Sequence, residues 1–434
     1  MKKHLKPAVF LVLLLFGLLN INRSDASVIQ KGDTLSLPLF IKKEIHSGIF
    51  FNSSSEREEL NTDISKKKED LFSGVASYQF GGKVWNFLEY KQEMMDLVFN
   101  VGPFFGSGNW ADSSKVMEID GTLENYGLRL NLAGNYETRF YYDQKSYTLI
   151  KLNGWVKNEL YLNNSEGTKT DSNHVTTVFD DSKIDNKFRY GFQARAGWGF
   201  GRLNPVNHVM VAEYLLESSY PGRIFSEVEM KHFASKIGEI KHRRDPGMSR
   251  SARQELAEIA DYLRTKMLLA APEIDEELWM LGEFAPRLQG TRFEIGPFFN
   301  YFNYEPDFYY GGFAQFENAR YINRKWNRNF SMNLNYSHYK KHEWATLETN
   351  LGWNYYPNLK TQYSFGLKYI PGMVIYGLND FDPVRHNFIP YVEYFTQVNA
   401  KTRVNLSFAW NLGDGEDFMM TGPNFSLAIY RSRY

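Results

Sequence analysis

Hydrophobic and polar residues alternate with a period of two over much of the chain. Between Lys187 and Gly201 the even positions are Phe188, Tyr190, Phe192, Ala194, Ala196, Trp198 and Phe200. The odd positions are Lys187, Arg189, Gly191, Gln193, Arg195, Gly197, Gly199 and Gly201. Successive side chains of a strand point to opposite faces, so one face is apolar and the other is polar or bare. Aromatics stand at both ends of the apolar face and small residues at its middle, as a membrane strand with two interfacial girdles requires. The same alternation runs through 126–132, 148–162, 330–337, 345–355, 363–369 and 403–410. It starts near residue 96. Eight strands are predicted after the midpoint, near 290–302, 309–320, 328–339, 344–356, 361–370, 387–396, 402–411 and 423–434. With about six before them, the pattern predicts an all-β transmembrane barrel, antiparallel, of about 14 strands (roughly 12–16). A soluble sandwich also alternates, but its apolar face packs a core and carries fewer aromatics at the strand ends.

One region breaks the period. From Asn204 to about Gly282 the spacing is helical, which predicts a small α-helical insertion. Asn204-Pro205 reads as an N-cap followed by proline in the first turn, with Val209, Ala212, Leu215 and Leu216 on one face. Ser226-x-x-Glu229 is a capping box ahead of Met230, Phe233, Ile237 and Ile240, and Ser251-x-x-Gln254 is a second ahead of Leu256, Ile259, Leu263 and Met267. A last short helix is expected from Pro272. Eight strands between the insertion and the C-terminus put both on one side of the membrane. The short connections Pro357–Lys360 and Asn399–Lys401 and the long ones Pro371–His386 and Leu412–Gly422 make that side the periplasm.

The N-terminus adds an export signal. Lys2, Lys3 and Lys6 precede an apolar run from Ala8 to Leu19, and Ser24-Asp25-Ala26 offers small residues for cleavage after Ala26. The expected organisation is a signal peptide (1–26), a periplasmic lead-in or first strands (27–95), barrel strands (96–202), the helical insertion (203–288) and further strands (289–434). Within the second part, Ser53 to Asp70 is strongly charged and is expected to be a mobile periplasmic lead-in or a short amphipathic piece. The 434 residues are polar on average (mean hydropathy −0.46) yet 16 % aromatic, which suits half-apolar strands rather than spanning helices. Formal net charge is zero, giving no field that argues for nucleic acid, and without cysteine there is no disulfide, thiolate metal site or cysteine nucleophile.

Candidate chemistry is sparse. Gly197-x-Gly199-x-Gly201 lacks the third glycine of a dinucleotide loop, since position 202 is Arg, and all three glycines lie on one strand face. They leave room for the insertion, a plug segment or an Arg202 contact. His342-Glu343 lacks the second histidine of a zinc-protease motif. Acidic residues in two outer loops, Asp380 and Asp382, then Asp414, Glu416 and Asp417, are either solvated or an oxygen site for Ca²⁺. Ser337, His338 and His342 invite a hydrolase reading, but adjacent strand residues face opposite ways. The stronger clue is the lumen-facing set Arg129, Lys151, Lys157, Glu159, Arg189, Arg195, Glu348, Lys368, Glu393 and Arg403. Such charges either set selectivity in a wet lumen, here with an excess of cations, or pair across a closed interior.

The segment 2–26, the strands of 96–202 and 290–434, and the aromatic terminus Tyr434 with Tyr430 on the same face resemble Gram-negative outer-membrane β-barrels. The terminal aromatic is similar to the assembly signal such barrels present to their insertion machinery, with Tyr in place of the usual Phe. The run Gly-Trp-Gly-Phe-Gly-Arg-Leu-Asn-Pro-Val followed by helices resembles uncharacterised envelope barrels of Bacteroidota-like bacteria. The resemblance implies an outer-membrane location, contact with lipid and the insertion machinery, and no cofactor. Two functions follow from the residues: a porin or channel for small solutes, or a structural or assembly protein that binds a periplasmic partner through 204–285. A barrel hydrolase is a third.

Overall fold

The computed structural model describes residues 39–433 except 62–64, 115–116, 173, 245–250, 268–269, 271–273, 275, 282–284, 305, 341, 378–379, 382 and 414–420. Six strands precede the helices: β1 (Phe40–Asn61), β2 (Ser65–Phe87), β3 (Lys91–Ser114), β4 (Met117–Tyr141), β5 (Ser146–Asp171) and β6 (Thr176–Pro205). Helices α1 (Asn207–Ser219), α2 (Glu227–His242), α3 (Ala252–Thr265) and the single turn α4 (Glu276–Trp279) follow. Eight strands complete the chain: β7 (Leu288–Phe302), β8 (Phe308–Asn323), β9 (Trp326–Tyr339), β10 (His342–Tyr355), β11 (Thr361–Gly377), β12 (Arg385–Gln397), β13 (Thr402–Gly413) and β14 (Gly422–Arg433). A two-residue piece, Asp380–Phe381, extends the sheet beside the end of β11. Every strand is antiparallel to its chain neighbour, and β1 pairs with β14 (Ile49 opposite Ile429), closing a 14-strand ring.

The ring is apolar outside. Leu97, Phe99, Leu128, Leu130, Leu132, Ile150, Leu152, Phe365, Leu367, Leu406 and Phe408 are all exposed. A belt of this size in water would carry a large penalty, at about 25 cal/mol per Å² of apolar surface, whereas lipid accepts it. Closure satisfies the backbone of every belt strand, the condition for sheet in a bilayer.

The two ends differ. One, the terminal end, carries the start of β1, the end of β14 and the helices. Its remaining turns are short, as at Arg324–Lys325 between β8 and β9. At the other, the loop end, β2–β6 run on for 23–30 residues against 12–17 in β7–β14. On β4 the outward residues change from Leu130, Leu128 and Tyr126 to Glu124, Thr122, Asp120 and Glu118, so the belt stops and the strands continue into water. β7 engages β6 only from Gly191 onward, and β14 engages β1 only as far as Ser54. β1–β6 therefore rise as a one-sided wall. Its free β6 edge carries Asp180, Asp181, Lys183, Asp185 and Lys187, the kind of charge that discourages edge pairing.

Several local expectations are corrected. Of the two alternatives for 27–95 the first strands are present, beginning at Phe40 rather than near 96, and the described residues of Ser53–Asp70 belong to the β1–β2 hairpin, not to a lead-in or a separate amphipathic piece. The part of that hairpin beyond Ser54 stands in the wall above the β14 pairing, where neither face needs to be apolar, so its pattern is silent. Asn204-Pro205 does not open a helix. Both residues stay in β6, and the N-cap is Val206, without a side-chain bond. Ser226 forms the full capping box with Glu229, whereas Ser251 caps without a side-chain hydrogen bond. The last helix starts at Glu276; Pro272 lies outside the described residues, as do the signal segment and Tyr434. β11 also runs on to Gly377, shortening the loop expected from Pro371.

The helices have a core of their own. Phe233, Ala234, Ile237 and Ile240 of α2 meet Met210, Ala212, Leu215 and Leu216 of α1 and Ile259 and Leu263 of α3. Each is nearly solvent-free, and full burial of one such large side chain is worth about 1.5–3 kcal/mol. Trp279 closes the cluster, its indole N–H donating to Glu255 Oε2 at 2.7 Å, and Arg244 pairs with the same carboxylate.

Candidate functional site

The terminal mouth of the barrel is crossed by the helices. On β1, the His242 ring bonds the Leu39 carbonyl, and the His208 ring lies 5.3 Å from that of Phe40. On the far side, Tyr321 of β8 donates to Glu213 Oε2 at 2.6 Å and Arg324 pairs with Glu217. Tyr356 and Leu359 of the β10–β11 turn and Phe395 of β12 join the helical core. β1 and β8 are seven strands apart in a ring of fourteen, hence on opposite sides. A body touching both spans the opening.

The glycine run at the end of β6 makes this crossing possible. Gly201 (φ +96°) and Gly290 (φ +129°) on the paired β7 hold backbone conformations that side chains disfavour. A Cβ on Gly201 would stand 2.2 Å from the Thr291 carbonyl oxygen, and one on Gly199 would stand 2.2 Å from the Tyr147 ring. Past the glycines, β6 and β7 lean across the mouth. The Leu203 carbonyl accepts from Gln92 Nε2 of β3 at 2.8 Å, Leu288 packs with Phe40, Trp85 and Phe87, and Arg202 stacks 4.3 Å from the Tyr141 ring. The bare face anticipated from sequence is thus filled by Tyr147 and by this bend.

Inside the barrel, the ten charged residues assigned to the lumen fall into separate groups. Lys151 of β5 joins a buried network around Glu294 of β7. Glu294 accepts from Arg139 Nε and Lys151 Nζ, each at 2.6 Å, and from the Tyr147 hydroxyl at 3.1 Å. Arg292 lies 3.3 Å from it and donates to Glu317 at 2.7 Å, while Glu137 pairs with Arg139. Glu294 and Arg139 are 0 % and 1 % exposed, so their full charges are stabilised by each other rather than by water. Beside them Tyr141, Tyr147, Leu149, Phe298 and Phe313 form an aromatic cluster, and the Arg195 guanidinium lies 5.2 Å from the Phe313 ring. Together these fill the lumen along β4–β8.

The second group is Arg129, Lys157 and Glu159. Glu159 Oε1 is 2.7 Å from Arg129 Nε and 2.8 Å from Lys157 Nζ, and Arg189 stands opposite Lys157 on the next strand. A cavity of about 370 Å³ opens here, lined by Phe50, Asn52, Val75, Ser77, Asn100, Arg129, Asn131, Trp155 and Lys157. Third, Arg403 of β13 pairs with Glu44 at 2.8 Å, with Lys42 and Ser432 on the same carboxylate. Lys368, Glu348 and Glu393 lie apart on β10–β12, where Lys368 Nζ is 5.9 Å from the Tyr391 ring and the Tyr391 hydroxyl donates to Asn350. The acids Glu44, Glu137, Glu294 and Glu317 were missed by the sequence reading. The same parity rule finds Glu294, which alternates with the outward Phe293 and Ile295.

The remaining motifs dissolve. Ser337 is buried on the inner face, while His338 is outside against the Tyr310 ring, and His342 packs on Tyr376. Among the described residues no three His, Asp or Glu side chains converge as metal ligands. Asp382, Asp414, Glu416 and Asp417 lie outside those residues. In the helices, burial pushes the His242 imidazole down to about 4, opposed by its bond to the Leu39 carbonyl, and burial raises the Glu213 carboxyl.

A closed ring, an apolar belt and a polar interior leave one architecture. This is a transmembrane β-barrel of the outer-membrane type. No protein-family model and no curated protein matches the sequence. Among solved structures the barrel is similar to the P. putida toluene transporter TodX (7 % identity, 90 % of this chain and 89 % of that one, TM-score 0.34). It is also similar to an outer membrane channel from Pseudomonas putida F1 (11 %, 93 % and 99 %, TM-score 0.32). A third is the transport unit of the autotransporter AIDA-I from Escherichia coli (10 %, 91 % and 90 %, TM-score 0.32). At such scores nothing about activity transfers; the chain's own belt and closure define the barrel.

Proposed function

We propose that the protein is a solute channel of a Gram-negative outer membrane, exported by its N-terminal signal and assembled by the barrel insertion machinery, with its terminal mouth in the periplasm. The observation that carries this reading is the helical cover over a polar lumen. A ring of fourteen strands is wide enough to hold water, and a body that bridges β1 and β8 through a few polar contacts and the Phe40, Tyr356, Leu359 and Phe395 contacts would close it reversibly. A pure scaffold has no use for a polar bore. In planar bilayers the full chain is expected to conduct rarely or in small steps. Deletion of 206–287 with a short Gly-Ser bridge is expected to give large steady currents. A folded deletion variant as silent as the full chain would overturn the proposal. A second reading, docking of a periplasmic partner on the cover, is favoured by Ile224 and Val228, which the helical region leaves exposed. Unchanged currents combined with retention of an envelope protein by the cover would select it.

A further inference from the structure

Strand register places a graded stripe across the inner wall. Gln79, Asn100, Asn131, Lys157 and Arg189 are consecutive cross-strand partners on β2, β3, β4, β5 and β6. All five face the lumen, so three amides run directly into two cations. The next row on the terminal side is Gly81, Val98, Ala133, Trp155 and Gly191. Its glycines are covered by the His46, Phe302 and Trp155 rings, and Trp155 and Phe50 face the 370 Å³ cavity as its aromatic walls. Asn100 Oδ1 is buried without a protein partner. Arg129 and Lys157 share the single carboxylate of Glu159, and Arg189 lies against the Tyr304 ring, so the cationic end keeps a net positive charge. Asp185, the nearest further acid along β6, is bonded by the Tyr161 hydroxyl.

Amides carry donors and acceptors side by side and match vicinal hydroxyls. Aromatic walls match the apolar face of a sugar ring, and a surplus of Lys and Arg matches a carboxylate. The volume lies at the small end of ligand sites, roughly 300–1,000 Å³. We infer that this stripe is a binding station for acidic sugars, mono- or disaccharides bearing a carboxylate, with hydroxyls on Asn100 and Asn131 and the carboxylate at Lys157 and Arg189. It deepens the channel reading by naming a solute class.

Calorimetric titration of the detergent-solubilised full chain tests it with three probes: digalacturonate, maltose and inorganic phosphate. Digalacturonate is expected to bind at least about tenfold more tightly than maltose, and phosphate more weakly than either. Lys157→Gln is expected to reduce digalacturonate to the level of maltose and leave maltose unchanged. Asn131→Leu is expected to weaken both sugars. Folding of each variant is checked by the shift in gel mobility on heating, and Arg189→Gln replaces Lys157→Gln if the latter misfolds. Equal binding of the two sugars, phosphate binding as tight as digalacturonate, or no binding of digalacturonate to the folded wild type would each overturn the inference. None of these results touches the conductance of the deletion variant, so the channel reading stands or falls separately.

Discussion

Arg287 is the pin on which closure of the mouth turns, and Arg287→Ala is the sharpest way to test the cover. The residue sits just before β7 and is 2 % exposed. Its guanidinium donates to the Arg324 carbonyl at 2.8 Å and to the Asn323 carbonyl at 3.2 Å, tying the base of the cover to the β8–β9 turn. It also lies 3.9 Å from the Tyr356 ring centroid and 4.9 Å from that of Tyr321. Its backbone N–H donates to Asn207 Oδ1 at 2.7 Å, a contact that survives truncation. Two charge-assisted hydrogen bonds at about 1.5–3 kcal/mol each, with a cation–π contact of about 1 kcal/mol, are partly offset when water reaches the freed carbonyls. The net loss is about 3–4 kcal/mol, or roughly a hundredfold to a thousandfold in the docked-to-undocked ratio. Single-channel recording should show closed times shortened by that factor, and protease should cut α1–α3 faster in the same proportion. Arg287→Lys keeps the charge without the fork and should fall between. A folded Arg287→Ala protein whose helices resist protease like wild type, and whose closed times do not change, would refute the assignment of the helices as a docked cover.

Three further outcomes follow from the same contacts. Glu294→Ala strands Arg139, Lys151 and Arg292 without their shared carboxylate, so the heat-modification midpoint should fall by the equivalent of about 3–5 kcal/mol; an unshifted midpoint would mean the network is solvated. Gly201→Val meets both the positive φ and the Thr291 carbonyl, so the barrel should fold with its mouth unsealed or fail to fold; wild-type conductance would show that the bend is dispensable. His242 is about 4 when docked against about 6.5 when free, so the docked cover stays neutral where the free one gains a proton. Its contribution is complete above pH 6.5 and is lost as pH falls toward 4, at about 1.4 kcal/mol per unit and about 3 kcal/mol in all. Proteolysis of the helices should accelerate over that window in wild type and not in His242→Phe.

What could be read from sequence tracks where lipid imposes a rule. β7–β14 lie almost wholly within the belt, and their predicted positions agree with the observed strands to within three residues except at the end of β11, which runs seven residues further. β1 and β2 were read only as one of two alternatives, lead-in or first strands, because their far parts beyond Ser54 rise above the β14 pairing, where water reaches both faces and no period is enforced. The capping boxes show the same limit from another side. Ser226 and Glu229 act within one turn, so the signal is local and the box forms. Asn204-Pro205 has the same local look, but ladder pairing with Gln289 and Leu288 holds both residues in β6, and no local pattern encodes that partner. The lumen charges were legible one at a time and illegible as pairs. Lys151 is visible by parity, but its partner Glu294 lies 143 positions away and is found only once the ring is closed.

On the channel reading proposed above, that pairing decides where a solute passes. Each strong ion pair consumes two lumen charges, and the Glu294 pairs tie β7 to β4 and β5 across the strands between them. Glu294 with Arg139 and Lys151, backed by Phe298, Phe313 and Tyr147, seals the region in front of β4–β8 near the terminal end. The rest of the ring mixes a few charges, Glu348, Lys368 and Glu393 on β10–β12 and Arg403 paired with Glu44, with many neutral groups. Asn333 and Asn335 on β9, Asn350 on β10, Ser364 on β11, and Ser407 and Ser426 on β13 and β14 are uncharged groups facing inward. The two serine hydroxyls lie only 2.6 Å apart across their ladder. Neutral donors and acceptors exchange with water at little net cost, so a hydrated solute moves along them without being trapped, whereas a desolvated ion pair would hold it. The path consistent with this chemistry enters at the loop end beside the tall wall, meets the amide-to-cation stripe on β2–β6, and descends along β9–β14. It arrives where Tyr356, Leu359 and Phe395 hold the cover. Most of the contacts that hold the helices, at Tyr321, Arg324, Tyr356, Leu359 and Phe395, lie on that same side, so their release would open the mouth over β8–β12 while the Glu294 network stays in place.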